Sequence, residues 1–569
     1  MKTRLFGSAL ALLFASGISS VQAQSTAQPP DMILFDGKIV TVDKNFSYAQ
    51  AIAISGGRIL AVGANAAVRN LAGPQTRQID LHGSTVIPGI MDDHLHAAGG
   101  GPGVDLSQAR TLQQVLDAIK VRVQQSKPGD LILTNADWHE AQLNEQRLPL
   151  RRDLDKVAPE NPVVVVRGGH EYILNSAALK KWEITTATPQ PPGGAISRYD
   201  DGELSGEIMD NAKRLVKLPE RPPKSLEERI LDQQNEYKRL NAAGLTTVRH
   251  PGAPITQYRL LQEMERRGVL TMHVNFLVAM FEARDPEYVR KTIPSWNVKP
   301  DEGDEWFRIG GIKLGIDGGF EGAWMTQPYA EPFGKNATFF GLQTSPKDAY
   351  TSVVKEINRE GWRIATHAVG DAAIDQVIGA YEAANQEKSI VDRRWTIEHG
   401  FIPRPDQLPR IKDLGVIVST QDHLYLAAPS LKRYWGEKRA AWATPLRFYL
   451  DNGVRVGAGT DAPVVPYNPF WVIYHFVTRD TISDGVYGKD QRISRQEALR
   501  LSTIDNAYMM FEENSKGSLE PGKIADLLVL SDDIMTCPEA KIKDITPLMT
   551  MVGGKIVYQS GGFPESPAQ

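Results

Sequence analysis

Cysteine is nearly missing from this chain: Cys537 is the only one in 569 residues. No intrachain disulfide can form in any redox compartment, and a cysteine-rich structural zinc site is excluded. Any metal must be held by nitrogen and oxygen. An excess of basic charge is missing as well. The net charge of −4 provides no field for a polyanion, so nucleic acid is not an expected partner. After the first residues no apolar run approaches the ~20 residues that span a bilayer, and no internal repeat or extended low-complexity tract is present.

The first residues read as an export signal. Lys2 and Arg4 supply the charged start, Leu5 to Ile18 is mostly apolar, and Val21-Gln22-Ala23 is a small-x-small cleavage site. A single arginine before the apolar run argues against a twin-arginine signal. No cysteine stands at the cleavage point to carry a lipid. The alternative is an uncleaved membrane anchor, for which the run is short. The expectation is an exported, periplasmic protein cleaved near Ala23, without stable membrane association afterwards. Its expected partner is a small-molecule substrate; a homodimer is left open.

Hydrophobic residues make up 41% and charged residues 23%, ordinary for a globular enzyme, and the length suits a barrel with a satellite domain. Residues 31–85 read as short alternating strands with a hairpin turn at Gly56-Gly57. Residues 508–562 have the same character, with Gly553-Gly554 at a turn. Neither segment has enough apolar surface to stand alone, so both are read as one composite β-sandwich. Between them, in 86–507, strand-like runs alternate with helical patterns, as in (β/α) units. STVIPGIMDDH, GLTTVRH, LTMHVNFLV, FRIGGIKLGID, WRIATHA, RWTIEHG, VIVSTQ and VRVGAGTD are the expected barrel strands. The fold class is α/β, a TIM (β/α)8 barrel. A long insertion, 104–240, follows the first barrel strand and is expected to cap the site.

Seven ligand-type residues end these apolar runs: His94, His96, Lys313, His367, His399, His423 and Asp461. In a TIM barrel the C-terminal strand ends carry the active site. His94 and His96, one residue apart on a strand, point the same way and can share one ion. With His367 and His399 they make four nitrogen ligands, which suits Zn2+ or a similar divalent ion, one or two per chain. Asp461 follows the small residues Gly457-Ala458-Gly459-Thr460. It can take a proton from metal-bound water as general base, or it can simply cap the next helix. Lys313 beside cations would be repelled unless CO2 converts it to a carbamate that bridges two metals. The alternative is a salt bridge to Asp317. His170 and His423 are expected to contact substrate, His423 by bonding the oxyanion. His250, at another strand end, is read as an ordinary histidine rather than a substrate contact. Trp138 is read as packed, and His139 and Glu140 as solvent-facing.

VIPGIMDDHLH, HEYILNSAAL, GGIKLGIDGG, THAVGDAAID, TIEHG, TDAPVVPYNPF and GSLEPGKIADLLVL together cover nearly the whole mature chain. In this order they resemble the amidohydrolase superfamily, within it amidohydrolase family 3, the group that includes N-substituted formamide deformylases. The resemblance implies a metal-dependent hydrolase of carbon–nitrogen bonds with a distorted TIM barrel. It implies that His94 and His96 bind a buried metal and His367 and His399 a more exposed one. Lys313 becomes the carbamylated bridge, and Asp461 the base that also touches metal. A bridging hydroxide would attack the substrate carbonyl. The chain departs from the family where His250 replaces an expected aspartate, and where Phe320-Glu321-Gly322-Ala323-Trp324 replaces a glycine-serine-arginine string. Two other readings stay open: a mononuclear deaminase of an amidine-like or heterocyclic amine, and a non-catalytic exported metal- or ligand-binding protein.

Overall fold

The computed structural model describes residues 28–220, 222–561 and 563. The expected signal segment, 1–23, lies outside the described residues. Among the described residues no helix is long and apolar enough to cross a membrane.

Eight parallel strands form the central sheet. They are β1 (Ile90–Asp92), β2 (Leu245–Ala253), β3 (His273–Ala279), β4 (Phe307–Gly315), β5 (Ile364–Ala368), β6 (Thr396–His399), β7 (Ile417–Gln421) and β8 (Val456–Gly459). Each pairs with its neighbour in sequence, as a (β/α) barrel requires. The strands are buried on both faces, so they read as continuous rather than alternating apolar runs; β5 and β7 are buried at every residue. The last seam, between β8 and β1, is different. Asp93 N donates to Ala458 O at 3.1 Å. The Asn506 side-chain amide donates to both Met91 O and Ala458 O at 2.7 Å. The barrel is nearly closed, and a side chain from a later helix joins its two edges.

The run STVIPGIMDDH is not one strand. Thr85–Pro88 belongs to a six-stranded sheet outside the barrel, and only Ile90–Asp92 enters the barrel. Gly89 stands at the break, where a β-carbon would lie 2.2 Å from Thr246 Oγ1. The six-stranded sheet also takes Lys38–Val40 and Tyr48–Ala49 from the N-terminal part, and Leu527–Leu530, Pro547–Val552 and Lys555–Gln559 from the C-terminal part. Leu527 pairs with Pro88 and Val529 with Val86, so residues more than four hundred positions apart share a ladder. A four-stranded sheet, containing Met32–Phe35, Ala51–Ser55, Arg58–Gly63 and Arg77–Asp80, shares its apolar core.

The insertion builds its own five-stranded sheet around Val163–Arg167, Glu171–Leu174 and Leu204–Asp210, with the helix Leu112–Gln124 beside it. Its C-terminal boundary falls earlier than the sequence pattern suggests. The helix Leu226–Ala242 buries Ile230, Tyr237 and Leu240 in the barrel core, so it is the barrel's first outer helix and not part of the cap.

Candidate active site

The ends of β1 and β8 are zipped together just above the barrel. Asp92 accepts from His94 N at 3.0 Å and from Thr460 Oγ1 at 2.7 Å. Asp461 N donates to His94 O at 2.6 Å, and His96 N to Ala462 O at 2.8 Å. His94 and His96 therefore sit on the turn beyond β1, not on the strand, and their rings lie 73° apart with centroids 5.2 Å apart. They still converge. Asp461 Oδ1 is 3.4 Å from His94 Nε2 and 3.2 Å from His96 Nε2.

The other oxygen of Asp461 faces the opposite wall. Oδ2 lies 3.1 Å from His423 Nε2 and 4.0 Å from His399 Nδ1. Two triads, His94–His96–Asp461 and His399–His423–Asp461, each bring their ligand atoms within 4.8 Å of one another and share the carboxylate. His423 is the first residue of the helix His423–Trp435, not a strand-end residue, and is buried between Phe320 and Phe401. His367 lies 4.6 Å from His399, ring to ring, and 5.1 Å from His170, but joins neither triad; its Nε2 faces Gly318 O at 3.2 Å. His96 is the open member of the set, while His94, His367 and His399 are buried.

Two of the imidazoles, His94 and His399, are oriented by a second partner. Glu398 binds His94 Nδ1, which leaves His94 Nε2 facing Asp461. Gln421 Oε1 is 2.8 Å from His399 Nδ1. Burial first, then the Lys313 charge, lowers His94 to about 4. Burial pushes His367 and His399 well below the usual imidazole range. These rings are neutral at pH 7, with lone pairs free. Burial would raise the Asp461 carboxyl, but His94, His423 and His96 outweigh it and hold it far below the usual range. His399 and Asp461 both take positive φ, 73° and 59°, a strained geometry that persists where surrounding structure imposes it.

A cation fits this set. His94 Nε2, both nitrogens of His423 and Asp461 Oδ1 are buried without a hydrogen-bond partner, and nitrogen with carboxylate oxygen is the donor mixture that divalent zinc-like ions prefer. Lys313 lines the same cavity, and burial lowers it to about 8 despite Glu398 and Asp461. It makes no ion pair with Asp317. That carboxylate is spent on the backbone N–H groups of Trp324, Val369 and Gly370 at 3.0, 3.1 and 2.9 Å.

His170 rises from the insertion, its Nδ1 2.7 Å from Asp210 Oδ1, and lines the cavity of about 470 Å³ that also opens onto His94, Lys313, His367 and Asp461. His250 faces away, with Nδ1 3.0 Å from Leu95 O. Trp138 is packed, its indole N–H donating to Val166 O at 2.8 Å. His139 and Glu140 are not solvent-facing. Both are buried against Arg167, which donates to Glu140 at 3.0 and 3.1 Å. A charged pair so placed is satisfied internally, which polarity along the sequence does not reveal. Sequence reasoning also missed Glu398, Arg249, Gln421 and Asp210. Only Glu398 left a trace, directly before His399 in TIEHG.

A family model described as "Amidohydrolase family" matches residues 77–558. The chain belongs to the amidohydrolase family. It is 30% identical to the N-substituted formamide deformylase of Arthrobacter pascens, over 94% of this chain and 99% of that protein. Among solved structures it is similar to an uncharacterized metal-dependent hydrolase from Pyrococcus furiosus, at TM-score 0.63 and 27% identity over 89% of this chain and 100% of that one. It shares its fold with atrazine chlorohydrolase of Arthrobacter aurescens TC1 complexed with zinc, at TM-score 0.51 and 15% identity over 93% and 95% of the two chains. This amidohydrolase is a metal-dependent enzyme that hydrolyses carbon–nitrogen bonds.

Proposed function

We propose that the chain cleaves the C–N bond of a small amide, with Asp461 as the general base. The observation that carries this reading is the sharing of one carboxylate between two histidine triads. A divalent ion, zinc in this reading, would be held by His94, His96, His399 and Asp461, with His423 or His367 completing a second position. When bound, such an ion acidifies water and polarises a carbonyl. The residues supply the rest. Asp461 is ionised and touches four imidazoles, so it can accept a proton from water and return it to the departing nitrogen. Glu398 and Gln421 fix the rings they touch. His170, held by Asp210, overhangs the cavity where substrate must lie.

Lys313 is read as a carbamate. Its lowered pKa leaves more free amine to add to CO2, and the product is an anion in a place where an ammonium would repel a cation. Residues 1–23 are read as an export signal, with the mature enzyme in the periplasm.

The test is reconstitution. Chelated protein and protein reloaded with zinc are compared on a panel of formamides, N-acyl amines, cyclic amides and primary carboxamides. The expected result is turnover only after reloading, about two ions per chain, and an intact chain heavier by one CO2 in native mass spectra, an increment absent from Lys313→Ala. Failure of the loaded protein to cleave any amide overturns the reading.

A further inference from the structure

A second, smaller pocket adjoins the metal-binding residues. Its volume is about 30 Å³, against about 470 Å³ for the outer cavity. Asp461, His399, His423, His170 and His367 line it, so it meets the outer cavity at the reacting centre. Phe320 and Phe401, with ring centroids 5.5 Å apart, form an apolar wall. The end of the pocket is polar. Arg167 and Glu321 close it, joined by Arg167 Nη1 donating to Glu321 Oε2 at 2.9 Å.

The other oxygen of Glu321 is the anomaly. Oε1 is buried and has no hydrogen-bond partner. A β-carbon added at Gly319 would lie 2.9 Å from this oxygen and 3.0 Å from His170 Cγ, so carboxylate and imidazole flank one small space. The carboxylate cannot swing away to satisfy itself, because Arg167 is anchored by Glu140 at 3.0 and 3.1 Å and touches His139 Nε2 at 2.9 Å. Arg167 has other carboxyl neighbours besides Glu321. One guanidinium serves Glu140, Glu171 and Glu321, at 3.0, 3.5 and 2.9 Å. A buried acceptor without a donor is costly unless the bound state supplies one.

A substrate places one side of its scissile bond in each pocket. The narrow side admits only a small group, and the unpartnered carboxylate asks for a donor that can carry positive charge. A formyl hydrogen or a methyl group would leave Glu321 Oε1 unpaired; an N–H would not. The geometry points to an unsubstituted amino group in the inner pocket, so that the enzyme hydrolyses primary carboxamides and releases ammonia. Glu321 accepts an N–H of the leaving group and Asp461 delivers its proton. In R–CO–NH2 + H2O the C–N bond breaks, a C–O bond forms, and the products are R–COO− and NH4+, with no oxidant or reductant. This deepens the amide-hydrolase reading and rests on it.

The experiment uses zinc-loaded full-length protein and matched pairs: phenylacetamide and butyramide, each beside its N-ethyl amide, with N-benzylformamide as a third arm. The expected result is a kcat/KM for the primary amides at least tenfold above the N-ethyl amides, with ammonia released in step with acid. In Glu321→Gln that preference falls at least tenfold. Methylammonium chloride, titrated calorimetrically, should bind the wild-type protein and bind Glu321→Gln at least tenfold more weakly; melting curves check that the variant is folded. Faster cleavage of the N-ethyl amides or of N-benzylformamide overturns the proposal, as does methylammonium binding that ignores Glu321 or is absent. If no amide in any arm is cleaved, the hydrolase reading has failed, and the methylammonium titration still decides the subsite.

Discussion

Glu398 holds three partners at once: one oxygen binds His94 Nδ1, and the other accepts from Arg249 Nη1 and from Thr396 Oγ1, each at 2.8 Å. Arg249 also donates to Asp93 O at 3.0 Å and Thr396 Oγ1 at 2.9 Å, so the carboxylate is fixed within a buried network. A histidine oriented through its second nitrogen is a stronger and better-placed ligand, and losing such a partner typically costs about 10–100-fold in metal affinity. Glu398→Gln should therefore weaken zinc binding by about that factor in a competition with a coloured chelator. Unchanged affinity would show that the carboxylate does not orient His94.

Asp461→Asn keeps the shape of the side chain and removes the carboxylate proposed as the base. The expected outcome is a loss of about 10²–10⁴-fold in kcat with zinc still bound. Turnover equal to wild type, in protein that retains its metal, would remove Asp461 from the chemistry.

Arg167→Met tests the buried charge cluster. Glu140 and Glu321 would lose the partner they meet at 2.9–3.1 Å. Removing one member of a buried ion pair costs roughly 3–5 kcal/mol, which should appear as a clear drop in the denaturant midpoint at constant slope. A midpoint within error of wild type would mean that water reaches these carboxylates.

Three buried histidines should each subtract stability in acid. Burial, countered only in part by neighbouring groups, lowers His250 to about 4, His139 to about 3 and His475 to about 3, from an ordinary value of 6.5. The unfolded chain therefore binds these protons first. Stability is lost as pH falls from about 6.5 toward about 3, and no further loss from these groups follows below that. Each tenfold difference in proton affinity between the folded and unfolded chain is worth ~1.4 kcal/mol, so each ring contributes on the order of a few kcal/mol. Buried Asp92 and Asp317, raised to about 7, act in the opposite sense, so the check is a difference. The melting temperature of wild type relative to the single variants His250→Gln, His139→Gln and His475→Gln should decline from pH 7.5 to 4, and constant differences would contradict the burial of all three.

Much of the scaffold was legible because parallel strands buried on both faces leave uninterrupted apolar runs, and seven of the eight expected runs contain or overlap one barrel strand as read. The first run misled, because Gly89 divides it between two sheets within a stretch too short for periodicity to register. Ligand-type residues at strand ends announced the site. Their supports did not: Glu398 and His94 are 304 positions apart, and Arg167 and Glu321 are 154 apart. Burial of His139 and Glu140 depends on a counter-charge that arrives from the strand Val163–Arg167, so their polarity alone suggested solvent. The cap's boundary failed for a related reason, since Leu226–Ala242 is strongly charged on its outer face and declares its allegiance only through the barrel residues it covers.

The side-chain stitch at Asn506 has a temporal consequence. The first barrel strand leaves the ribosome early, yet the amide that ties it to the last one is encoded almost at the end, and the ladder between Thr85–Pro88 and Leu527–Leu530 arrives later still. A nascent chain halted before these residues lacks both the stitch and the ladder, so the seam on which His94 and Asp461 meet is reinforced only late in synthesis.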